Sequence, residues 1–337
     1  PLRSVDTPGP GILSIEGVSC VTCRRRPPLY PRTRRATIDM TNIPNACYLS
    51  LDVEDYTHAT MLDMGLRPRT NPEQTWRGLR RILSVLRQAG GHPNMTLFTT
   101  GQIARDQPDL IREMSRLGHE IACHGDQHEN VCTLSRTEFA GNVRRAKDAL
   151  EDACGQRVIG FRAPNFSLDE RSTWAYAVLS EAGFLYDSSL VMEAPRVSRQ
   201  PYDVFELSGA RLYEFPLYRY PVVGTRGIRV IGGTYFRCLP LSAIIALMRQ
   251  ALRLGYTPLV YLHAADADDQ PSPVTWKDMQ GLSYLSRSRW TIRQKQWMLG
   301  THAVADKLLA LLKLFPHLGP MSTTLPMKDN SRLNASD

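Results

Sequence analysis

The sequence predicts an α/β fold built on parallel strands. Short apolar runs alternate with longer segments in which apolar residues recur at helical spacing, and this alternation is typical of a parallel sheet. A side chain capable of acid, base or metal chemistry follows each of five predicted strands. Because the carboxyl ends of parallel strands meet on one face of a barrel, these side chains are expected to share one site.

The predicted elements follow one another regularly from residue 47 onward. A buried strand of four to eight apolar residues and a helix with an apolar face are distinguished by their periods. The predicted strands cover residues 47–51, 95–99, 120–123, 158–161, 184–186 and 259–262. The predicted helices cover residues 76–86, 103–117, 139–150, 174–182, 241–254 and 304–315, and residues 191–238 are less regular.

We divide the chain into three parts. Residues 1–44 mix Pro, Gly, Arg and Thr without apolar periodicity and are predicted to be a poorly ordered basic leader. Residues 45–325 are predicted to form a single catalytic domain with a helical extension at its C-terminal end, followed by a flexible tail at 326–337.

Composition excludes several classes of protein. The net charge of +8 is concentrated near the beginning of the chain, and a solvated tail explains it better than nucleic-acid binding does. Seven cysteines spread over 337 residues do not form a disulfide framework, and no apolar run is long enough to span a bilayer. We therefore expect a reducing, cytoplasmic setting, with the inner face of the membrane as a further possibility.

His124 and His128 are the first candidate metal ligands. Four residues apart on a helical turn, two imidazoles project from one face and can hold one ion. Asp52, Glu54 and Asp55 crowd the end of the first strand, and three such acids repel one another unless a cation or a shared proton relieves them. Two histidines and one carboxylate form a typical catalytic metal site.

Three further residues follow predicted strands. Arg162 ends an otherwise apolar strand, where a guanidinium group is expected to pair with a carboxylate. His263 leaves a buried strand and is a candidate general acid, although a structural core histidine is the alternative. Asp187 could orient its imidazole, as carboxylates commonly do. Asp266, Asp268 and Asp269 are interpreted as a hydrophilic loop.

These motifs together resemble the polysaccharide deacetylase (NodB-homology) family. The resemblance covers residues 45–320 and rests on five motifs in order, which begin or end at Asp52, His124, Arg162, Asp187 and His263. The segment from Gly232 to Pro240 is similar to the branch linked to exopolysaccharide and exosortase loci. The resemblance implies a distorted (β/α) barrel, usually of seven strands, that removes acetyl groups from GlcNAc-type sugars.

The resemblance also implies roles for individual residues. Asp52 would be the general base, held ionised by Arg162, and His263 would protonate the departing amine, tuned by Asp187. His124, His128 and one acid, Glu54 or Asp55, would hold a divalent metal, with zinc as the expected ion. The backbone N–H after Pro164 would stabilise the oxyanion. The substrate-binding residues would be Pro164, Asn165, Phe166 and Tyr235, and the partner would be an N-acetylated glycan.

Two departures from the family and two alternative functions remain open. A Glu54 ligand would be longer than the usual Asp, which affects the position and affinity of the ion. Many relatives follow the last histidine with Pro-Trp, whereas this chain has Ala264 and Ala265, which alters a wall of the expected acetyl pocket. The first alternative is hydrolysis of a cyclic ureide amide on the same fold. The second is a non-catalytic sugar-binding protein, which predicts the loss of a catalytic or metal-binding residue.

Peripheral membrane contact is a separate alternative for one predicted helix. Residues 304–315 carry an apolar stripe formed by Leu308, Leu311, Leu312 and Phe315. Such a stripe more commonly packs against a barrel than lies on a membrane, and we expect it to belong to the core.

Overall fold

A computed structural model describes residues 45–169, 171–193, 202–203, 212–220, 228–229 and 231–325. The predicted leader at 1–44 and the predicted tail at 326–337 lie outside the described residues, so these boundaries stay predictions.

The described strands are short and most are buried. In chain order they are β1 (Tyr48–Val53), β2 (Thr96–Thr99), β3 (Glu120–Cys123), β4 (Gly160–Phe161), β5 (Tyr186–Asp187), β6 (Val191–Glu193), β7 (Tyr202–Asp203), β8 (Tyr213–Glu214), β9 (Leu217–Tyr220), β10 (Ile228–Arg229) and β11 (Leu259–His263).

The helices cover the outer face of the main sheet and extend beyond it. In chain order they are α1 (Tyr56–Asp63), α2 (Pro72–Ala89), α3 (Gly101–Asp106), α4 (Pro108–Arg116), α5 (Arg136–Cys154), α6 (Ala175–Glu181), α7 (Gly233–Cys238), α8 (Leu241–Arg253), α9 (Tyr284–Met298) and α10 (Val304–Leu314).

The main sheet confirms the predicted fold class. Its strand order is β11-β1-β2-β3-β4-β5-β8-β7, and every pair except β7 with β8 is parallel. Seven parallel strands therefore form a curled half-barrel, in which β11 and β1 lie side by side although more than 200 residues separate them. A smaller sheet contains β10, β9 and β6.

The register of the main sheet gathers the predicted site residues at one edge. Asp52 is paired with His263 on β11 and with Phe98 on β2. Asp187 is paired with Phe161, the last residue of β4, and Arg162 follows directly. The carboxyl ends of these strands therefore lie next to one another, as the parallel arrangement requires.

The predicted helix at 103–117 is in fact two helices. Gln107 has a backbone φ of −137° and ends α3, and Pro108 occupies the first turn of α4. Proline has no N–H to continue a helix but is accommodated in a first turn, so the chain restarts there. The sequence also failed to predict α1, α7 and α9. Gln294 is the one fully buried residue of α9, and Trp290 packs only partly buried against a small cluster around Met61 and Met279, so the helix has no continuous apolar face.

The apolar stripe on α10 belongs to the core. Leu308, Leu311, Leu312 and Phe315 are at most 2% exposed, and the helix packs against α2. Core packing is therefore confirmed for this stripe, and the alternative of membrane contact through it is wrong. Within the described ranges, no helix combines the length and the apolar character that crossing a bilayer requires.

Candidate metal and catalytic site

Glu54, His124 and His128 form a cluster with the geometry of a metal site. One ligand atom from each residue lies within 4.8 Å of the others. Glu54 Oε2 is 2.5 Å from His128 Nε2 and 3.9 Å from His124 Nε2. Both histidines therefore face the carboxylate of Glu54, the residue directly after β1.

The two histidines are not on a helical turn, contrary to the prediction. His124 follows β3, and the segment to His128 is irregular, with φ values of 76° at Gly125 and 68° at His128. A left-handed backbone is uncommon for a non-glycine residue and persists where the surrounding structure holds it. The two imidazole rings nevertheless lie 5.3 Å apart, because the loop folds back on itself.

A backbone contact orients His124. Its Nδ1 lies 2.8 Å from the carbonyl oxygen of Arg162, and because that oxygen only accepts, Nδ1 carries the proton. Nε2 is left as the free ligand atom, directed at the cluster. Burial lowers the pKa of His124 to about 4, so the imidazole is neutral at pH 7, the form that binds a metal.

Asp55, the other candidate carboxylate, is not brought into the cluster. It caps the N-terminus of α1, where Oδ1 accepts from the backbone N–H of His58, and Oδ2 accepts from the backbone N–H of Asn71. Both carboxylate oxygens are engaged with the backbone. Of the two candidate acids, Glu54, which the sequence favours modestly, is therefore the one in the cluster.

The residues of the cluster fit a divalent transition metal. Two imidazoles and one carboxylate are the ligands of many catalytic zinc sites. Although it is close to His128, the buried Oε2 of Glu54 has no well-aligned hydrogen-bond donor among the described residues. Burial raises the pKa of Glu54, but the neighbouring histidines, His128 foremost, outweigh that effect and lower it, so the carboxylate is ionised.

Arg162 binds Asp52 as predicted. The guanidinium group is fully buried, and its Nη1 donates to Asp52 Oδ1 at 2.6 Å. Nε and Nη2 donate to the carbonyl oxygen and the hydroxyl oxygen of Ser188, and the group stacks on the ring of Phe98 at 3.9 Å. These contacts fix the guanidinium rigidly, so that it holds one oxygen of Asp52 in place.

The second oxygen of Asp52 faces the site. Oδ2 lies 4.0 Å from His124 Nε2 and 4.0 Å from His263 Nε2. Asp52 is 1% exposed, so its carboxylate lies between the metal cluster on one side and His263 on the other, away from bulk water.

His263 is oriented by Asp266 rather than by Asp187. Asp266 Oδ2 accepts from both the backbone N–H and the Nδ1 of His263, at 2.8 and 3.0 Å. Arg237 Nε lies 2.7 Å from the other oxygen of Asp266. Burial by itself lowers the pKa of His263, but the carboxylates of Asp266, Glu54 and Asp52 outweigh it and raise the pKa to about 9.

Asp187 supports a different part of the site, which corrects the prediction. It accepts from the Ser189 hydroxyl, which in turn accepts from the backbone N–H of Ala163. Its neighbour is Glu214, and burial raises the pKa of both carboxyl groups, that of Asp187 to about 6. When two neighbouring carboxyl groups share one proton, both can be buried without two negative charges repelling each other. Through Ser189, Asp187 then holds the loop after β4 in place.

A short-range signal for Asp266 was present in the sequence. A residue at the start of a helical turn and an acid three positions later form a capping box, in which the acid reaches back to the first backbone N–H. His263 and Asp266 have this spacing and this geometry. The prediction treated Asp266 as loop surface, whereas it is 5% exposed.

These groups open into one cavity of about 180 Å³. Its walls include the predicted substrate-binding residues Asn165, Phe166 and Tyr235, whereas Pro164 lies behind the wall, against Gly125. Asn165 and Phe166 have φ values of 55° and 52°. Like His128, they are non-glycine residues with a positive φ at this edge of the sheet. Strained backbone of this kind clusters at functional sites.

The cavity also has walls that the sequence did not predict. Tyr56, Thr60, Asp63 and Gln74 line it from α1 and α2, and Trp297 and Met298 line it from the end of α9. Directly after His263, Ala265 lines the cavity and Ala264 packs on α2. A Cβ at Gly78 would lie 1.8 Å from the carbonyl oxygen of Ala264, so only glycine fits there.

A half-barrel of parallel strands with these groups at its carboxyl edge defines a class of protein. In this chain the edge carries two histidines and one carboxylate that could hold a metal, beside a buried aspartate–arginine pair. In agreement with this class, residues 72–184 match the polysaccharide deacetylase family and residues 188–317 match a domain of unknown function, DUF3473. The resemblance to the polysaccharide deacetylase family that the sequence motifs indicate is thus confirmed over residues 72–184.

Individual relatives are similar over shorter stretches. A peptidoglycan deacetylase-like protein of Gibberella zeae is 31% identical over 113 residues, which are 34% of this chain and 32% of that protein. A chitooligosaccharide deacetylase of Sinorhizobium fredii is 36% identical over 70 residues, 20% of this chain and 33% of that protein. The matched stretches thus span about a third of the length of these curated relatives.

Two solved structures overlap with most of the chain. A family 4 carbohydrate esterase from Streptomyces lividans in complex with acetate is 15% identical, with a TM-score of 0.41, and the match covers 79% of this chain and 87% of the esterase. The allantoinase PuuE is 17% identical, with a TM-score of 0.45, and the match covers 80% and 91%.

Proposed function

We propose that this protein is a metal-dependent hydrolase that removes N-acetyl groups from GlcNAc-type sugars of a bacterial oligosaccharide or polysaccharide. The observation that carries the proposal is the convergence, in one cavity, of the cluster Glu54–His124–His128 with Asp52 and His263. Amide hydrolysis needs a polarised carbonyl, a base for the attacking water and an acid for the leaving amine. This cavity contains a group suited to each task.

Glu54, His124 and His128 would hold the metal, and zinc is the ion that suits these ligands best. A divalent ion there would supply Lewis-acid polarisation of the amide carbonyl and of the attacking water. The orientation of His124 by the Arg162 carbonyl presets one ligand before any ion binds.

Asp52 would accept the proton of the attacking water. One of its oxygens is held by Arg162, and the other faces the cavity. The buried position removes competing bulk water, so the carboxylate acts only on a water molecule held in the site.

His263 would protonate the departing amine through Nε2. Because Asp266 accepts from Nδ1, the ring is fixed with Nε2 directed toward Asp52 and Glu54. The backbone N–H of Asn165, in the strained turn after Pro164, is the proposed donor to the oxyanion. The aromatic walls Phe166, Tyr235 and Trp297 would contact the sugar face.

The test is acetate release from N-acetylglucosamine oligomers. Zinc-loaded protein is expected to release acetate, and removal of the metal with a chelator is expected to abolish release until zinc is restored. Allantoin is assayed in parallel as a cyclic ureide. Turnover of allantoin but of no glycan would assign the protein to the ureide alternative, and glycan binding without any release would assign it to the sugar-binding alternative.

A second experiment separates Asp266 from Asp187 as the partner of His263. Asp266→Asn is expected to lower kcat about 100-fold, because the imidazole loses the carboxylate that fixes its tautomer. Asp187→Asn is expected to lower kcat less than about threefold, since an amide resembles a carboxyl group that shares a proton. Both variants should keep the wild-type zinc content, because neither residue belongs to the cluster.

The comparison is made on kcat and KM separately, with thermal unfolding as a control for folding. A large loss of kcat in Asp187→Asn, together with an active Asp266→Asn, would restore the assignment made from the sequence.

A further inference from the structure

The helix α9 lies at the rim of the cavity and is poorly covered by the rest of the protein. Its last residues, Trp297 and Met298, line the cavity, and Gln294 is the one residue of the helix that is buried. The outward face of α9 is therefore next to the opening of the proposed active site.

The outward face carries an aliphatic stripe. Leu285, Ile292 and Leu299, the residue after the helix, are 59%, 57% and 64% exposed. They are spaced seven residues apart, which places them on one side of the helix over about 21 Å. Single exposed apolar residues are common on protein surfaces, but three large aliphatic side chains in a line indicate an interaction site.

Two aromatic residues extend the stripe at the N-terminal end of α9. Tyr284 is 80% exposed and Trp276 is 39% exposed, and their rings contact edge to face at a centroid distance of 5.5 Å. Such side chains present an apolar body and a polar tip, which suits the boundary between lipid tails and water.

All the charges of α9 are positive. Residues 284–298 contain Arg287, Arg289, Arg293 and Lys295 and no aspartate or glutamate. Arg289 and Lys295 are exposed beside the aliphatic stripe, whereas Arg287 donates to backbone carbonyl oxygens of the preceding turn. Arg293 stacks on Trp297, with Asp63 nearby on the inner side.

We infer that the stripe formed by Leu285, Arg289, Ile292, Lys295 and Leu299 docks on the surface of an anionic lipid bilayer. A helix with an exposed apolar line and flanking cations inserts its apolar side at the headgroup boundary and pairs its cations with lipid phosphates. A second copy of the chain fits this surface less well, because the cations of the two copies would face each other. Docking holds the opening of the cavity at the bilayer surface.

The inference does not depend on the proposed hydrolysis, because it concerns only where the protein binds. The test is flotation of the full chain with vesicles of phosphatidylglycerol and phosphatidylcholine in equal amounts, beside vesicles of phosphatidylcholine alone. We expect binding to the anionic vesicles, weakened by salt because the Debye length shortens to about 3 Å at 1 M, and little binding to the neutral ones.

Two variants assign the binding to α9. Leu285→Ser/Ile292→Ser/Leu299→Ser is expected to weaken binding at least about 100-fold, because three apolar side chains no longer enter the boundary. Arg289→Gln/Lys295→Gln is expected to weaken it about 25-fold at low salt, at about fivefold for each cation. None of the five substituted positions lines the cavity.

Matched controls change the same residue types elsewhere on the surface. Leu117→Ser/Leu254→Ser removes two other exposed leucines, and Arg87→Gln/Arg116→Gln removes two other exposed arginines. These controls are expected to bind like the wild type. Thermal unfolding of each variant shows that it is folded, and the substitutions at exposed positions are expected to leave it unchanged.

Amide hydrogen exchange locates the contact, because the first 44 residues are also rich in arginine. Exchange in residues 284–299 is expected to slow when anionic vesicles are added. Protection confined to residues 1–44 would overturn the inference, as would equal binding to neutral vesicles or no binding at all. Self-association that the triple variant abolishes, without vesicle binding, would assign the stripe to a second copy instead.

Discussion

Replacing Asp52 by Asn is expected to lower kcat for acetate release by about 10² to 10⁴-fold, the usual contribution of a general base. The amide is isosteric and still accepts from Arg162, but it cannot take a proton from water. Zinc binding should persist, because the metal cluster consists of Glu54, His124 and His128. The measurements are steady-state acetate release and zinc content of the purified variant.

A control is needed for the loss of a buried charge. Asp52→Asn leaves the fully buried Arg162 without its counter-ion, which can cost about 3 to 5 kcal/mol of stability. Asp268→Asn breaks another ion pair, in which both oxygens of a buried aspartate accept from Arg77 at 3.0 Å, outside the cavity. A destabilised but fully active Asp268→Asn would show that lost stability alone does not stop catalysis. Undiminished acetate release by folded Asp52→Asn would remove Asp52 as the base.

The pair Glu54→Ala and Asp55→Ala separates a metal ligand from a helix cap one residue away. Glu54→Ala is expected to weaken zinc binding by more than the 10 to 100-fold that is typical of residues which only orient ligands. Acetate release should fall with the bound zinc. Asp55→Ala should keep zinc but lose about 1 to 2 kcal/mol of stability, because α1 loses its N-cap.

Zinc affinity is measured by competition with a chromogenic chelator, and stability by urea unfolding of the metal-free proteins. Each variant is the control for the other, since both remove a carboxylate from the same turn. The opposite pattern, with zinc lost in Asp55→Ala and retained in Glu54→Ala, would reverse the assignment of the ligand.

Periodicity predicted β1 to β5 and β11 of the main sheet, whereas β7 and β8, in the less regular stretch at 191–238, were missed. β3 begins and ends where the sequence predicted, and the side chains at the carboxyl ends of β1, β3, β4 and β11 meet as expected. Buried parallel strands produce continuous apolar runs, and these are visible without any tertiary information. Helix α9 was missed for the converse reason, because a helix that is exposed on most sides has no apolar period facing a core.

Residue type and position after a strand therefore determined much of the site: Asp52, Arg162, His124, His128 and His263 are where the sequence placed them. Tertiary structure alone decided between Glu54 and Asp55. It also decided between Asp187 and Asp266, although the capping-box spacing of His263 and Asp266 is a signal for Asp266 in the sequence. All four are carboxylates with the same chemistry, and their roles differ only in the direction in which each side chain points. Asp55 accepts from backbone N–H groups, and Asp187 shares a proton with Glu214. Glu54 faces His128, and Asp266 faces His263.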